Sequence, residues 1–296
     1  MEYNGVVYRP PVEAGTFLVP ITEGCTHNGC TFCNMYQSVG FRMLPLEYVE
    51  EYLRQVRCSY GAYCERIGRV YLVGADPFAL SATRLIERIE LIRRYLPSAE
   101  TFTMYARTDN IARKSDDELA ALKDAGVDDL YLGVECGLTE VLESLNKGYS
   151  AEETRRQCLR LNASGIRHCD LLMLGCAGAG RGLECARATA ALENEIKPSK
   201  ILINTMSAFV GTKLDADIRT GAFAPATEKE NLQEERALLD ALDLPECYFW
   251  AVHPLDSVKV EGVLGHSQQQ MLDALDWSID NVDEDAISRV SRVGTL

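Results

Sequence analysis

The stretch TFLVPITEGCTHNGCTFC, residues 16–33, places three cysteines directly after a short apolar segment. The segment from Thr16 to Ile21 has the length and composition of a buried β-strand. Cys25, Cys30 and Cys33 follow it, separated by four residues and then by two. Three thiolates on one tight loop can bind three corners of an iron-sulfur cube and leave the fourth iron without a protein ligand. An open iron of this kind can bind and reduce a small molecule.

The length and composition of the chain are typical of a globular enzyme. Its 296 residues are 47% hydrophobic, which is enough for a full core and for a single α/β barrel. The start, MEYNGVVYRPP, lacks a basic stretch followed by an apolar one, and no segment approaches about 18 consecutive apolar residues. We therefore expect a soluble, cytoplasmic protein with no membrane partner, whose eleven cysteines are reduced thiols.

The charge of the chain argues against one class of partner. Thirty Lys and Arg residues against forty-four Asp and Glu residues give a formal net charge of -14 at pH 7. A charge of this sign repels phosphate backbones. We therefore expect no nucleic-acid partner.

Short runs rich in Val, Leu, Ile and Tyr alternate along the chain with longer stretches of helical period. This alternation is typical of βα units around a parallel sheet. The six predicted strands are Thr16 to Ile21, Arg69 to Gly74, Thr101 to Arg107, Asp129 to Glu135, His168 to Gly175 and Lys200 to Met206. We expect an α/β fold, namely a partial (β/α)6 TIM-like barrel with a short C-terminal extension.

Local signals mark where the helices of this repeat begin and end. Three capping boxes, in which a hydroxyl and a Glu three residues later bind free backbone N–H groups, predict helix starts. They are Ser115 with Glu118, Ser150 with Glu153, and Thr227 with Glu230. Gly126 and Gly165 each follow a helical stretch and precede a strand, so we expect a left-handed helix stop at both.

The regularity of the repeat suggests three segments. Residues 1–14 are a lead-in, 15–210 form the core barrel, and 211–296 form an extension that closes one side. The alternation of apolar runs becomes irregular only after about residue 210, and no Pro/Gly/Ser linker interrupts it earlier.

The position of the cysteine loop, residues 24–36, is as informative as its spacing. In βα barrels the catalytic groups lie at the carboxyl ends of the strands. This loop follows the first strand directly, so we expect it to open onto the active face. Gly24 and Gly29 are predicted to supply the unusual backbone angles that the loop needs.

Four segments together resemble the radical SAM enzymes: GCTHNGCTFCNMY, FRMLP, YLVGADPFAL and YLGVECGLTEVLESLNKGYSAEETRRQ. Most of that family has C-x3-C-x2-C, whereas this chain has C-x4-C-x2-C. The resemblance covers about residues 15–210 and is greatest to the branch with oxygen-independent coproporphyrinogen oxidase, Elp3 and MiaB-like domains. It implies a [4Fe-4S] cluster and S-adenosylmethionine, cleaved to a 5'-deoxyadenosyl radical that takes hydrogen from a substrate.

The resemblance also implies roles for particular residues. The cluster ligands would be Cys25, Cys30 and Cys33. The residues implied to contact S-adenosylmethionine are Phe32 through its backbone, Gly74, Ala75 and Asp76 in place of a Gly-Gly-Glu turn, Glu135 at the ribose, and Lys147 or Arg155 at the carboxylate. Arg107, Asn204 and His253 lie at or near predicted strand ends and are candidates for substrate contact. A small-molecule substrate and an electron donor such as flavodoxin or ferredoxin would be the partners.

Other interpretations of these residues remain open. The three cysteines would form a structural zinc site if His27 or another cysteine supplied a fourth ligand. They would form a [2Fe-2S] electron carrier if Cys64 did so. Asp76 and Glu135 can be helix-capping or solvated acids, and His253 a core histidine. The other cysteines are expected to be mostly buried small hydrophobic residues: Cys58, Cys64, Cys136, Cys158, Cys169, Cys176, Cys185 and Cys247.

Overall fold

A computed structural model describes residues 6–281, 283 and 284. The chain forms two compact units. The first contains the chain up to Asn28, Met35–Leu132 and Gln157–His168, and the second contains Gly29–Asn34, Gly133–Arg156 and the chain from Cys169 onward. The predicted boundaries near residues 14 and 210 stay a prediction.

Strands and helices alternate through most of the described chain. The strands are β1 (Phe17–Pro20), β2 (Thr22–Glu23), β3 (Arg42–Met43), β4 (Arg69–Val73), β5 (Thr101–Thr103), β6 (Tyr105–Ala106), β7 (Leu130–Glu135), β8 (His168–Leu174), β9 (Lys200–Thr205), β10 (Tyr248–Ala251) and β11 (Val260–Val263). The α-helices are α1 (Leu46–Tyr60), α2 (Ala82–Tyr95), α3 (Thr108–Ala112), α4 (Asp116–Asp124), α5 (Thr139–Ser144), α6 (Ala151–Ser164), α7 (Gly182–Ile196), α8 (Lys213–Thr220), α9 (Glu228–Ala241) and α10 (Leu264–Asn281). Short 3-10 helices lie at Pro11–Glu13, Gly61–Arg66 and Pro77–Ala79.

The first unit is built on parallel strands. Strand β4 lies between β1 and β5, and it pairs in parallel with both, so that Phe17 is opposite Val70 and Arg69 is opposite Thr101. Helices α1 and α2 contact each other beside this sheet. Each helix turns its apolar side chains inward, because removing apolar surface from water lowers the free energy of the folded state.

The second unit is also built largely on parallel strands. Strands β7, β8, β9 and β10 are neighbours in that order, and β11 closes the edge by pairing antiparallel with β10. Helix α9 packs on α7 and on α10. Within the described residues, no helix is long and apolar enough to span a bilayer.

All six predicted strands are present, and one of them is divided. The segment predicted as a single strand from Thr101 to Arg107 forms β5 and β6, with Met104 between them. The reason is a change of partner: β5 pairs with β4, whereas β6 pairs with β7. A sequence pattern gives no sign of such a change, because the partner of a strand is set by residues far away in the chain.

The predicted helix signals are also present. The capping boxes at Ser115 and Thr227 are complete, and Ser150 Oγ accepts a hydrogen bond from the Glu153 N–H at 3.1 Å. Gly126 and Gly165 have φ angles of +92° and +78°, which are left-handed as expected. Both helix ends therefore follow the local rules of the sequence.

We predict that alanine at these two glycines has unequal effects. At Gly165 an added Cβ meets no atom closer than 3.8 Å, so Gly165→Ala should cost only the left-handed backbone strain of about 1–2 kcal/mol. At Gly126 the Cβ would lie 2.2 Å from the Glu100 carbonyl oxygen. Gly126→Ala should therefore lower the free energy of unfolding by clearly more than Gly165→Ala does. Denaturant unfolding of the two variants measures the difference, and equal losses would contradict it.

Candidate functional site

The first half of the cysteine loop belongs to the first unit and is shaped by two left-handed residues. Gly24 has a φ of +68°, and a Cβ there would lie 2.7 Å from the Gly40 backbone. The second left-handed position is Asn28, with a φ of +47°, rather than the predicted Gly29. The Asn28 N–H points at Cys25 Sγ, 3.4 Å away. This contact holds the Cys25 sulfur against the backbone of its own loop.

The second half of the loop, with Cys30 and Cys33, is held by the residues that follow α5. The Thr31 N–H donates to the Leu145 carbonyl at 3.0 Å, and the Asn146 side-chain amide donates to the Gly29 carbonyl at 2.7 Å. The backbone of this segment is therefore fixed by residues 145 and 146.

The loop thiols differ from the other cysteines in their burial. Cys25, Cys30 and Cys33 are all half-buried, whereas of the remaining eight cysteines seven are buried and Cys58 is exposed. A cluster that binds an external molecule needs thiols that reach out of the core, with one metal corner open. The donor set and its partial exposure fit a [4Fe-4S] cluster.

The turn after β4 holds a buried carboxyl group. Asp76 is fully buried. Its Oδ1 accepts a hydrogen bond from Asn110 Nδ2 at 2.6 Å, and its Oδ2 accepts one from the Thr26 hydroxyl. Thr26 follows Cys25, so this carboxyl group fixes the start of the cysteine loop. Gly74 allows the turn after β4 to approach Thr22 closely, because a Cβ at Gly74 would lie 1.9 Å from the Thr22 hydroxyl oxygen and overlap it.

The environment of Asp76 changes its acidity. Burial raises its pKa to about 6, and the hydrogen bonds from Thr26 and Asn110 and the charge of Arg107 oppose the increase. The carboxyl group is therefore ionised for the most part at neutral pH and binds the neighbouring donors as an anion.

A second buried polar pair lies at the end of β7. Lys147 Nζ donates to Glu135 Oε1 at 2.6 Å, and the two side chains are 5% and 8% exposed. Burial lowers the pKa of Lys147, but the charges of Glu135, Tyr149 and Cys30 raise it by more, so Lys147 stays charged. Gly133 makes room for the pair, because a Cβ there would lie 2.8 Å from Glu135 Oε1.

Glu135 itself has an unusual backbone. Its φ is +64°, and the Cys136 N–H donates to the Val134 carbonyl at 2.8 Å across it. This is a tight three-residue turn of the rare left-handed kind, and such a conformation costs on the order of 1–3 kcal/mol outside glycine. Strain of this kind occurs where the direction of a side chain matters.

Two further predicted cofactor residues have very different surroundings. The ring of Phe32 is half-buried, and Lys147 Nζ lies 5.8 Å from its centre. Arg155, in contrast, lies on the exposed surface of α6 and forms ion pairs with Glu152 and Glu195. Of the two cations predicted for the cofactor carboxylate, only Lys147 lies beside Glu135.

The three candidates for substrate contact lie in different units. Arg107, in the first unit, is 8% exposed and donates to Asp109 at 3.0 Å. Asn204 and His253, in the second unit, lie near the carboxyl ends of the neighbouring parallel strands β9 and β10. The structure thus brings the latter two to one edge of the sheet.

His253 forms the start of a small polar network at that edge. Its Nδ1 accepts the Leu255 N–H at 3.2 Å, so the ring proton is on Nε2 in the neutral form. Burial and the charge of Lys259 lower its pKa. Asp256 accepts from the His253 N–H and from the Thr205 hydroxyl, and burial raises its pKa to about 7.

Several polar residues of these networks were not predicted. Thr26, Asn110, Thr205 and Asp256 complete the networks around Asp76 and His253, and no motif marks them in the sequence. In the part of the chain that the structure describes, the one group of three ligating atoms within 4.8 Å of one another is Cys136, Cys176 and Cys185. We call it the thiol trio. The sequence analysis predicted these cysteines as core residues, because they follow no C-x2-C spacing.

The residues of the two alternative metal sites are placed differently. Cys64 is fully buried in the 3-10 helix Gly61–Arg66. Among the described residues, neither Cys64 nor His27 belongs to a group of three close ligating atoms. Cys25, Cys30 and Cys33 do not form such a group within the described residues either, so both alternatives stay predictions.

Comparison with known proteins decides the family. The sequence pattern of the radical SAM superfamily matches residues 19–177, more than half of the chain. The chain belongs to the radical SAM superfamily. No curated protein matches it.

Solved structures of radical SAM proteins share the fold. Elp3 from Methanocaldococcus infernus has 18% identity and a TM-score of 0.56 over 88% of this chain and 63% of its own. Methylornithine synthase PylB has 16% identity and a TM-score of 0.54 over 95% and 82%. Coproporphyrinogen III oxidase HemN from Escherichia coli has 16% identity and a TM-score of 0.54 over 76% and 52%.

These comparisons confirm the predicted α/β fold of the partial TIM-barrel class. Identities of 16–18% carry the likeness of fold alone. The chain spans 39% of the methyltransferase TsrM from Kitasatospora setae, a structure with cobalamin and a [4Fe-4S] cluster bound. Radical SAM proteins bind such a cluster together with S-adenosylmethionine, and the superfamily consists mainly of enzymes.

We predict that Asp76 makes the stability of the protein depend on pH. The folded state binds the carboxyl proton more tightly than the unfolded state, whose pKa is near 3.8. This contribution is therefore complete below pH 3.8 and is lost as the pH rises through about 6, a fall of up to about 3 kcal/mol. Urea unfolding between pH 3.5 and pH 7, about the range in which this group titrates, measures it. Asp76→Asn should flatten the dependence, and Asp124→Asn, at an exposed carboxylate, should not; the same profile in both variants would contradict this role.

We further predict a strong coupling between Lys147 and Glu135. Lys147→Met leaves a buried carboxylate without its partner and should lower the free energy of unfolding by about 3–5 kcal/mol. Adding Glu135→Gln to that variant removes the uncompensated charge and should restore most of the loss. A double-mutant cycle by chemical denaturation measures the coupling, and additive losses would show that the pair does not act as a unit.

Proposed function

We propose that this protein is a radical SAM enzyme that acts on a small molecule, with Cys25, Cys30 and Cys33 as the ligands of a [4Fe-4S] cluster. The observation that carries the proposal is the cysteine loop of a radical SAM superfamily member, in which three half-buried thiols lie on one loop after β1. When bound, the cluster and S-adenosylmethionine supply cleavage of the sulfonium to methionine and a 5'-deoxyadenosyl radical, which takes a hydrogen atom from the substrate.

In this proposal the turn after β4 binds S-adenosylmethionine through backbone carbonyl groups. The Asp76 carboxyl group is occupied by Thr26 and Asn110, so it serves as a positioning group for the loop. The carbonyl groups of Gly74 and Ala75 remain to accept hydrogen bonds from the methionine ammonium.

The Glu135 and Lys147 pair contacts both parts of S-adenosylmethionine, its ribose and its methionine carboxylate. Glu135, aimed by its left-handed turn, has a second carboxylate oxygen to accept hydrogen bonds from ribose hydroxyls. Lys147 offers the cofactor carboxylate a fixed positive charge, and Phe32 beside it offers its backbone to the adenine. We leave Arg155 out of this site, since its exposed ion pairs with Glu152 and Glu195 occupy it.

The substrate would lie against polar groups at the strand ends. Asn204 and His253 can orient it by hydrogen bonds, and Arg107 can bind an anionic group. The chain positions the substrate and excludes water from it, because its polar networks are buried. The net charge of -14 supports a small molecule rather than a nucleic acid. We place the protein in the cytoplasm, with a flavodoxin or ferredoxin as reductant.

We expect anaerobic reconstitution to separate this proposal from its alternatives. Wild-type protein should bind about four irons per chain and release 5'-deoxyadenosine after reduction with dithionite in the presence of S-adenosylmethionine. Cys30→Ala should lose both the cluster and the cleavage, whereas Cys64→Ala should keep both.

Three outcomes would overturn the proposal. Two irons per chain with dependence on Cys64 would identify a [2Fe-2S] carrier. Zinc without iron on the loop would identify a structural site. A full cluster that survives Cys30→Ala would exclude the loop as its ligand.

A further inference from the structure

The thiol trio lies in the second unit, and its three residues come well after the cysteine loop in the sequence. Cys136 follows β7, Cys176 follows β8, and Cys185 is in the first half of α7. Each residue is 1% exposed. Three parts of the fold, separated by up to 49 positions in sequence, therefore direct a sulfur to one point.

The distances between the sulfurs match those of metal ligands. The three Sγ atoms lie within 4.8 Å of one another, and Cys176 Sγ and Cys185 Sγ are 3.9 Å apart. Thiolates bound to one zinc ion at about 2.3 Å in a tetrahedron are about 3.8 Å apart. A disulfide needs sulfurs about 2.0 Å apart and would leave one of the three thiols over, so a shared ion suits the trio better.

The immediate surroundings are dry but contain one oxygen donor. Val141, Leu142 and Leu145 pack around the sulfurs, and these residues belong to the same buried cluster. The carboxyl group of Glu234, 3% exposed, interacts with the Cys185 thiol but is not within 4.8 Å of all three sulfurs, so it would turn toward a bound ion. Its Oε2 also accepts the Gly175 N–H at 2.9 Å, which fixes the carboxyl group beside the trio.

The sulfurs already interact with each other as polar groups. The Cys176 and Cys185 thiols form a hydrogen bond in which either sulfur can be the donor. Other buried cysteines, such as Cys247 at 3% exposure, lie outside any such group among the described residues. Burial of small apolar side chains alone does not account for three sulfurs at one point.

We infer that the thiol trio is a structural zinc site, with Cys136, Cys176 and Cys185 as thiolate ligands and the Glu234 carboxyl group as the fourth ligand. A divalent cation offsets two of the four negative charges of these ligands, as it does in the four-cysteine sites that zinc also forms. Binding releases the protons of the thiols and of the Glu234 carboxyl group to solvent, and no bond is oxidised or reduced. The ion joins the ends of β7 and β8 to α7 and holds Cys136, the residue after the strained Glu135, in place.

Zinc content in the full-length chain tests this inference independently of the cysteine loop. A variant with alanine at Cys25, Cys30 and Cys33 has no loop thiols, so any zinc it keeps is bound elsewhere. After loading with Zn²⁺ under reducing conditions and removal of the excess, it should hold about one zinc per chain, as one tetrahedral site requires. Adding Cys176→Ala should reduce the zinc at least tenfold, whereas adding the matched buried substitution Cys247→Ala should leave it unchanged.

X-ray absorption at the zinc edge gives a second measurement that needs no change in the trio. The loop variant should show about three sulfur ligands near 2.3 Å and one oxygen near 2.0–2.2 Å. Three results would overturn the inference. The loop variant could hold no zinc, or its zinc could have fewer than three sulfur ligands. Alternatively, Cys247→Ala could remove as much zinc as Cys176→Ala. Failure of the cluster reconstitution alone would overturn the proposed function and leave this site intact, because iron and zinc are counted separately.

Discussion

The hydrogen bonds of the buried Asp76 carboxyl group are the constraint on which the first half of the candidate site depends. A carboxylate without access to water must be satisfied by protein donors, and here the donors are Thr26 and Asn110. They come from the cysteine loop and from α3, so one side chain ties both to the end of β4. The position of Cys25 follows from this contact, because Thr26 is its neighbour in the chain.

The second half of the site depends on the segment after α5. Leu145 and Asn146 hold the backbone around Cys30, and Lys147 neutralises Glu135. Three consecutive residues therefore position both the cysteine loop and the acidic side chain that faces the cofactor in our proposal. The ion pair also helps to maintain the left-handed backbone of Glu135, since loss of either charge would leave the other buried and unpaired.

The thiol trio extends this arrangement by one residue. Cys136 directly follows Glu135, so a zinc ion bound to it would help to fix the strained turn. Radical chemistry requires that the reacting atoms be held closely. A structural ion at this place would contribute rigidity beside Glu135 and would take no part in the chemistry itself.

The features that follow local rules could be predicted from the sequence. The apolar runs predicted the six strands, the capping boxes at Ser115 and Thr227 predicted helix starts, and Gly126 and Gly165 predicted helix ends. Each of these depends on residues within a few positions of one another. The cysteine spacing, together with its place after β1, indicated the family for the same reason.

The sequence by itself thus determined the βα alternation and the cysteine loop, and it predicted iron-sulfur ligation by that loop. Only the tertiary structure decided the break at Met104, the partners of Asp76, the pairing of Lys147 rather than Arg155 with Glu135, and the meeting of Cys136, Cys176 and Cys185. These contacts join residues between 9 and 50 positions apart. Strand pairing and helix packing bring such residues together, and a local pattern contains no information about that pairing.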